Sequence, residues 1–236
     1  PYVPGEQPQH KVIKLNTNEN PYPPAPGVRE ALLAVDVDRM RLYPDPTAES
    51  LVHTLAEYYG VKENQVFVGV GSDDVLAMCF LTFFNSEKPV LFPDITYSFY
   101  DVWAELYRIP YERIPLDENF QINPEDYDRD NGGIVIANPN APTGIALETG
   151  VIEEIIKSNP DNLVIIDEAY VDFGAKSCVP LIEKYDNILV IQTFSKSRSL
   201  AGSRVGFALG NRELIADLNR IKFSFNPYNL DRLAIR

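Results

Sequence analysis

Along the chain, short β-branched runs alternate with longer stretches whose apolar residues recur at helical spacing. The runs Gln65–Val70, Val90–Phe92, Ile134–Ala137, Leu163–Ile166, Ile188–Thr193 and Val205–Leu209 predict strands, several of them apolar on both faces. Between them, Ala48–Tyr59, Asp73–Phe83, Tyr97–Tyr107, Glu148–Ser158 and Arg212–Lys222 predict helices. A strand that is apolar on both faces has to be covered on both. Strands that alternate with helices imply crossover connections. The pattern therefore predicts an α/β fold of three layers, a mostly parallel sheet covered by helices on both faces.

The two ends of the chain depart from this alternation. Asn16–Pro24 is dense in Pro and Asn, which do not suit the interior of an element, and it predicts an ordered arm or loop. Pro44-Asp45-Pro46 makes a second turn, with Thr47 and Ser50 near the start of the next helix. Asn226–Asp231 reads as a turn followed by the start of a helix, yet the sequence stops at Arg236. So short a helix has little stability of its own, and the expectation is a chain cut from a longer one.

Composition changes this picture little. Of 236 residues, 45% are apolar and 23% charged, the balance of an ordinary globular protein able to bury a sizeable core. No apolar run reaches the ~20 residues that span a bilayer. The opening Pro1-Tyr2-Val3-Pro4-Gly5 lacks the features of a secretory signal, so a cytoplasmic location is expected. A net charge of −13 argues against nucleic acid and against anionic membrane as partners. Cys79 and Cys178 are far apart, and His10 and His53 are the only histidines, so neither a metal site nor a Ser-His-Asp triad is expected.

The unusual polar residues fall just after the strands, where open α/β sheets bind ligands. Gly71-Ser72-Asp73, Asn138–Gly144, Asp167–Tyr170 and Ser195–Ser197 each follow a strand-like run. A lysine in such a place forms a Schiff base with a carbonyl once its amine has lost a proton. An aspartate at a strand end can pair with a protonated ring nitrogen. Arg204 offers a planar fork for a phosphate, and Gly71-Ser72-Asp73 opens a helix whose free N–H groups bind anions. Together these groups describe pyridoxal 5'-phosphate. Each alone has a plainer reading: Lys196 as a solvated loop charge, Asp167 as a helix cap, Glu168 as a structural carboxylate, Tyr170 as a core tyrosine.

Asn138–Gly144, Asp167–Tyr170 and Thr193–Gly206, in that order, resemble the motifs of the fold-type I aminotransferases. The finer pattern is similar to the histidinol-phosphate aminotransferase family. It rests on Leu15–Pro21, Tyr43–Pro46, Val70–Val75, Pro93–Tyr100, Asp167–Phe173 and the lysine segment. The resemblance implies that Lys196 carries the cofactor and then moves the proton at the amino acid carbon. It implies that Asp167 pairs with the pyridine nitrogen and that Tyr170 bonds the phenolic oxygen. Arg204, Ser195 and the Ser72 and Asp73 amides are implied to hold the phosphate. Tyr97 is implied to stack on the ring, and Tyr43 to reach the cofactor of a neighbouring subunit in a homodimer. Where most of the family has an asparagine just before Pro-Thr-Gly, this chain has Ala141; either Asn140, one residue earlier, substitutes for it or Tyr170 acts without it.

By the same resemblance, residues 1–26 form an N-terminal arm and residues 27–236 the large cofactor-binding domain. A smaller C-terminal domain, with an arginine for the substrate's anion, lies beyond the chain. The implied reaction is transamination of L-histidinol phosphate with 2-oxoglutarate, yielding glutamate, in histidine biosynthesis. Two other readings stay open on the residues alone. One is a different fold-type I enzyme, such as an aromatic aminotransferase or a phosphothreonine-type decarboxylase, and the other a non-catalytic cofactor-binding fragment.

Overall fold

Central strands that must be covered on both faces form the middle of a seven-stranded sheet in a computed structural model describing residues 5–6 and 8–226. The strands are β1 (Val66–Gly69), β2 (Val90–Pro93), β3 (Tyr111–Ile114), β4 (Gly133–Ala137), β5 (Val164–Asp167), β6 (Ile188–Thr193) and β7 (Gly206–Gly210). They lie in the order β1-β7-β6-β5-β4-β2-β3. The helices are α1 (Pro26–Leu33), α2 (Glu49–Tyr59), α3 (Ser72–Phe83), α4 (Phe99–Tyr107), α5 (Thr149–Ser158) and α6 (Arg212–Ile221).

Side-chain alternation divides the core in two. Val164 and Ile166 of β5, with Ile134 and Ile136 of β4, pack against α2 and α5 through Leu51, Leu55, Ile152 and Ile155. Ile165 and Val135 point the other way, into a cluster with Val75, Leu76 and Cys79 of α3, Tyr100 and Trp103 of α4 and Leu218 of α6. Each such fully buried aliphatic side chain contributes ~1.5–3 kcal/mol by leaving water. The three-layer α/β expectation is met.

Five strands, β2 to β6, run parallel, and β7 runs antiparallel to both of its neighbours, β6 and β1. The β6–β7 connection contains only a short 3-10 turn at Ala201–Ser203, so the chain returns beside the strand it has just left. Because β7 is reversed, β1 points the same way as the parallel set. The carboxyl ends of β1, β4, β5 and β6 and the amino end of β7 thus share one edge.

Two elements differ from the sequence expectation. Strand β3 carries Glu112 and Arg113, both exposed, and as the edge strand it needs no apolar run. Helix α1 buries none of its residues, and the apolar periodicity did not mark it. Residues 8–25 form neither helix nor strand, as the Pro and Asn density predicts. Of the expected C-terminal turn and helix start, residues 227–231 lie outside the described residues.

Candidate active site

The sheet register assembles the site. Asp167 lies opposite Ala137 on one side and Ile191 on the other. The Asn138 amide donates to the Asp167 carbonyl at 2.8 Å, and Gly206 lies opposite both Thr193 and Gly69. Asn138, Asp167, Lys196, Arg204 and the Ser72 helix start therefore meet at one edge.

One end of the site is a cradle of donors. Helix α3 begins at Ser72, directly after Gly71 at φ +85°. Its first amides have no carbonyl within the helix to bond, and the helix dipole adds positive potential there. Arg204, itself left-handed at φ +55°, brings one guanidinium nitrogen to 3.7 Å from Asp73 Oδ2 and donates from the other to Ser195 Oγ at 3.5 Å. The approach depends on missing side chains. A Cβ on Gly71 would stand 2.7 Å from Arg204 Nη2, and one on Gly206 would stand 2.3 Å from the Gly71 carbonyl carbon and the Ser72 nitrogen. Guanidinium, hydroxyl and helix N–H donors crowded onto glycine backbone suit a phosphate group.

The other end is a buried carboxylate. Alternation along β5 turns Asp167 toward α3 and α4, where it is 5% exposed. Tyr100 Oη donates to its Oδ2 at 2.8 Å and the Ala169 amide to its Oδ1 at 3.1 Å. Burial pushes its pKa up to about 6, against the pull of those two donors, and it has no basic side chain at ion-pair distance among the described residues. A buried carboxylate without a contacting ion-pair partner suits a protonated ring nitrogen. Both ends thus fit the cofactor expected from the sequence.

Lys196 Nζ lies 5.4 Å from the centre of the Tyr170 ring and donates to the Thr17 carbonyl at 3.1 Å. Tyr97 Oη donates to Asp73 Oδ1 at 2.9 Å, which ties this ring to the phosphate cradle, and its pKa is raised well above the ordinary value, chiefly by burial. Glu168, 1% exposed, faces away from the site. It accepts from the Cys178 amide, Ser177 Oγ and Gln192 Nε2, a structural role in keeping with its plainer reading. Burial raises its pKa to about 7.

Two of the expected residues behave differently. Asn140 does not present its amide to the site. It donates to the Ile95 carbonyl and accepts from Thr96 Oγ1, which pins the 138–144 loop to the segment before α4, and it donates to Thr143 Oγ1 within the loop. Tyr43 is exposed and stacks on Phe225 with ring centres 4.4 Å apart.

Sequence reasoning missed the arm's direct part in the site. Asn18 Nδ2 donates to Tyr170 Oη at 3.0 Å, and Asn20 Nδ2 donates to the Lys196 and Ser197 carbonyls at 3.3 and 3.1 Å. The asparagine density of Asn16–Asn20 was the available signal, since amides placed in a loop are there to bond something. Tyr100 was also missed, because a tyrosine in an apolar helix carries no mark of its partner.

Known proteins agree with this geometry. The family model described as aminotransferase class I and II matches residues 10–229. The chain is 57% identical over 235 residues to histidinol-phosphate aminotransferase 1 of Hydrogenovibrio crunogenus, covering 99% of this chain and 66% of the relative. It is 56% identical to histidinol-phosphate aminotransferase of Clostridium beijerinckii, covering 100% of this chain and 66% of that one. It thus spans about two thirds of the length of these relatives. Among solved structures, histidinol-phosphate aminotransferase from Sinorhizobium meliloti in complex with pyridoxal-5'-phosphate superposes with a TM-score of 0.82 at 22% identity, over 93% of this chain and 62% of that one. The enzyme from Clostridium acetobutylicum gives 0.80 at 22% identity, over 92% and 67%. The two structural likenesses speak for the fold, and the match over residues 10–229 decides the family: the chain belongs to the class I and II aminotransferases.

Proposed function

We propose that the protein of which this chain forms the cofactor-binding part transfers the amino group of L-histidinol phosphate to 2-oxoglutarate, with pyridoxal 5'-phosphate held at Lys196. The observation that carries the reading is the 57% identity over 235 residues to a relative named for that reaction. No observation favours an aromatic aminotransferase, a phosphothreonine-type decarboxylase or a non-catalytic fragment.

The cofactor, when bound, supplies an aldehyde that takes up amino groups and a ring that draws electrons from the neighbouring carbon. Arg204, Ser195 and the Ser72 and Asp73 amides bind its phosphate. Asp167 keeps a negative charge at the ring nitrogen and so maintains the ring's pull on electrons. Tyr170 offers its hydroxyl to the phenolic oxygen, with Asn18 holding that hydroxyl in place. Tyr97 orients the ring from one face. Lys196 would hold the cofactor, and its Nζ, when free, would move the proton at the amino acid carbon. Donor and acceptor use the same groups in turn, so ping-pong kinetics follow.

In this reading residues 1–26 are an arm, residues 27–236 the large domain, and a further domain supplies the arginine for the substrate's anion. The protein works in the cytoplasm as a homodimer, with Tyr43 reaching the neighbour's phosphate. The exposed apolar side chains Ile13, Leu15, Tyr22, Leu33 and Val37 support such an interface. No helix among the described residues is long and apolar enough to cross a membrane. The test is amino transfer by the full-length protein from histidinol phosphate, phenylalanine and O-phosphothreonine to 2-oxoglutarate, followed as glutamate. Faster transfer from either of the other two donors would overturn the substrate assignment.

A further inference from the structure

The Tyr100 hydroxyl is placed where a purely packing tyrosine would have no need of one. Tyr100 stands in the first turn of α4 with no exposed surface, and Phe80, Phe92, Tyr97 and Trp103 surround its ring. Its one polar atom donates to Asp167 Oδ2 at 2.8 Å, while the Ala169 amide occupies Oδ1. Each carboxylate oxygen thus has one fixed donor, which sets the rotation of the group and leaves its remaining lone pairs aimed outward.

We propose that Tyr100 is a positioning residue for the reaction, whose hydroxyl orients the Asp167 carboxylate toward the cofactor's ring nitrogen and stabilises its negative charge. The inference rests on the proposed function only in taking that nitrogen as the carboxylate's partner. The charged and titratable groups around Asp167 are Asp73 from α3, Tyr97 and Tyr100 from the segment of α4, and Lys196 from the loop after β6. Burial and Asp73 disfavour the charge, while Tyr100, the Ala169 amide and Lys196 favour it. Tyr100 is the nearest side chain able to offset burial by a hydrogen bond, and at 2.8 Å the bond is of charge-assisted length. The Tyr100 hydroxyl cannot surrender its own proton instead, because burial and the facing Asp167 raise its pKa well above the ordinary value.

The test uses the full-length protein carrying 13C-carboxyl aspartate, with the Asp167 signal identified by its loss in Asp167→Asn. In the cofactor-free form, Tyr100→Phe is expected to raise the midpoint of the Asp167 titration by about one pH unit, a tenfold change in ionisation. In the loaded form, the 15N signal of a labelled cofactor ring should move toward that of an unprotonated pyridine, and kcat should fall with KM little changed. Replacing Tyr100 by 3-fluorotyrosine keeps the ring and strengthens the donor, so it should lower the midpoint, and it serves if Tyr100→Phe does not fold. A folded variant of either kind whose carboxyl midpoint and ring signal match the parent's would overturn the proposal. Loss of histidinol phosphate turnover in the parent, with the carboxyl shifts present, counts against the substrate reading alone.

Discussion

Replacing Gly206 by alanine tests whether the site depends on backbone contact between β7 and the start of α3. The added methyl would stand 2.3 Å from the Gly71 carbonyl carbon and Ser72 nitrogen and 2.8 Å from the Gly71 carbonyl oxygen. Relaxed carbon contacts lie at ~3.5–4.0 Å, so the two backbones have to part by about 1 Å or more, with no side chain to turn aside. Overpacking of this kind costs about 1–3 kcal/mol. For a domain of this size that lowers Tm by roughly 2–12 °C. The shift falls on the amides expected to bind phosphate, and losing one charge-assisted bond of ~1.5–3 kcal/mol weakens cofactor affinity about ten- to a hundredfold. Gly210→Ala is the control, since its nearest new contact is the end of the Leu189 side chain at 2.6 Å rather than backbone of the Ser72 helix start. Cofactor titration by visible absorbance, with thermal melts of both variants, reads the outcome. A Gly206→Ala protein that binds cofactor as tightly as the parent would refute the cradle argument.

Lys196→Ala is expected to abolish the yellow absorbance of the bound cofactor, and borohydride should then fix no cofactor to the protein; a trapped adduct would place the attachment at another lysine. In the cofactor-free protein, the Asp167 carboxyl holds its proton more tightly when folded, because burial raises its pKa from 3.8 to about 6. Its contribution to stability is therefore full below pH 3.8 and lost as pH rises toward 6, by up to ~3 kcal/mol, and melts against pH should show Asp167→Asn flattening that part of the profile. Light scattering of the full-length protein should give a dimer, and an active strict monomer would contradict the role given to Tyr43.

The parts of the fold legible in the sequence are those under the strongest physical constraint. Strands β4, β5 and β6 are buried on both faces, so each is written as a continuous apolar run. Strand β3, half in water at the edge, is under no such constraint, and its Glu112 and Arg113 hide it. The direction of β7 was equally hidden, because a run of apolar residues looks the same read either way along a sheet. Asp167 and Lys196 were legible as polar residues at strand ends, whereas the bonds that orient them come from Tyr100 and Asn20, far off in the chain. Asn140 shows the converse limit: position in a motif fixes where a residue sits, not which neighbours its amide will find first.

The reversed strand β7 also bears on how the protein is made. Among the described residues β1 has a single strand neighbour, β7, although β1 comes first of the seven strands along the chain and β7 last. During synthesis, β2 to β6 can pair as each emerges, while β1 and the Ser72 helix start wait beside a gap. Only when Gly206–Gly210 leaves the ribosome does the strand that joins them to the sheet exist. Arg204 lies two residues before this strand, so the strand that closes the sheet also fixes Arg204 beside the Ser72 helix start, where a phosphate is expected to bind. Nascent chains short of that point carry the lysine, the aspartate and the expected phosphate donors, but lack the strand that holds those donors together.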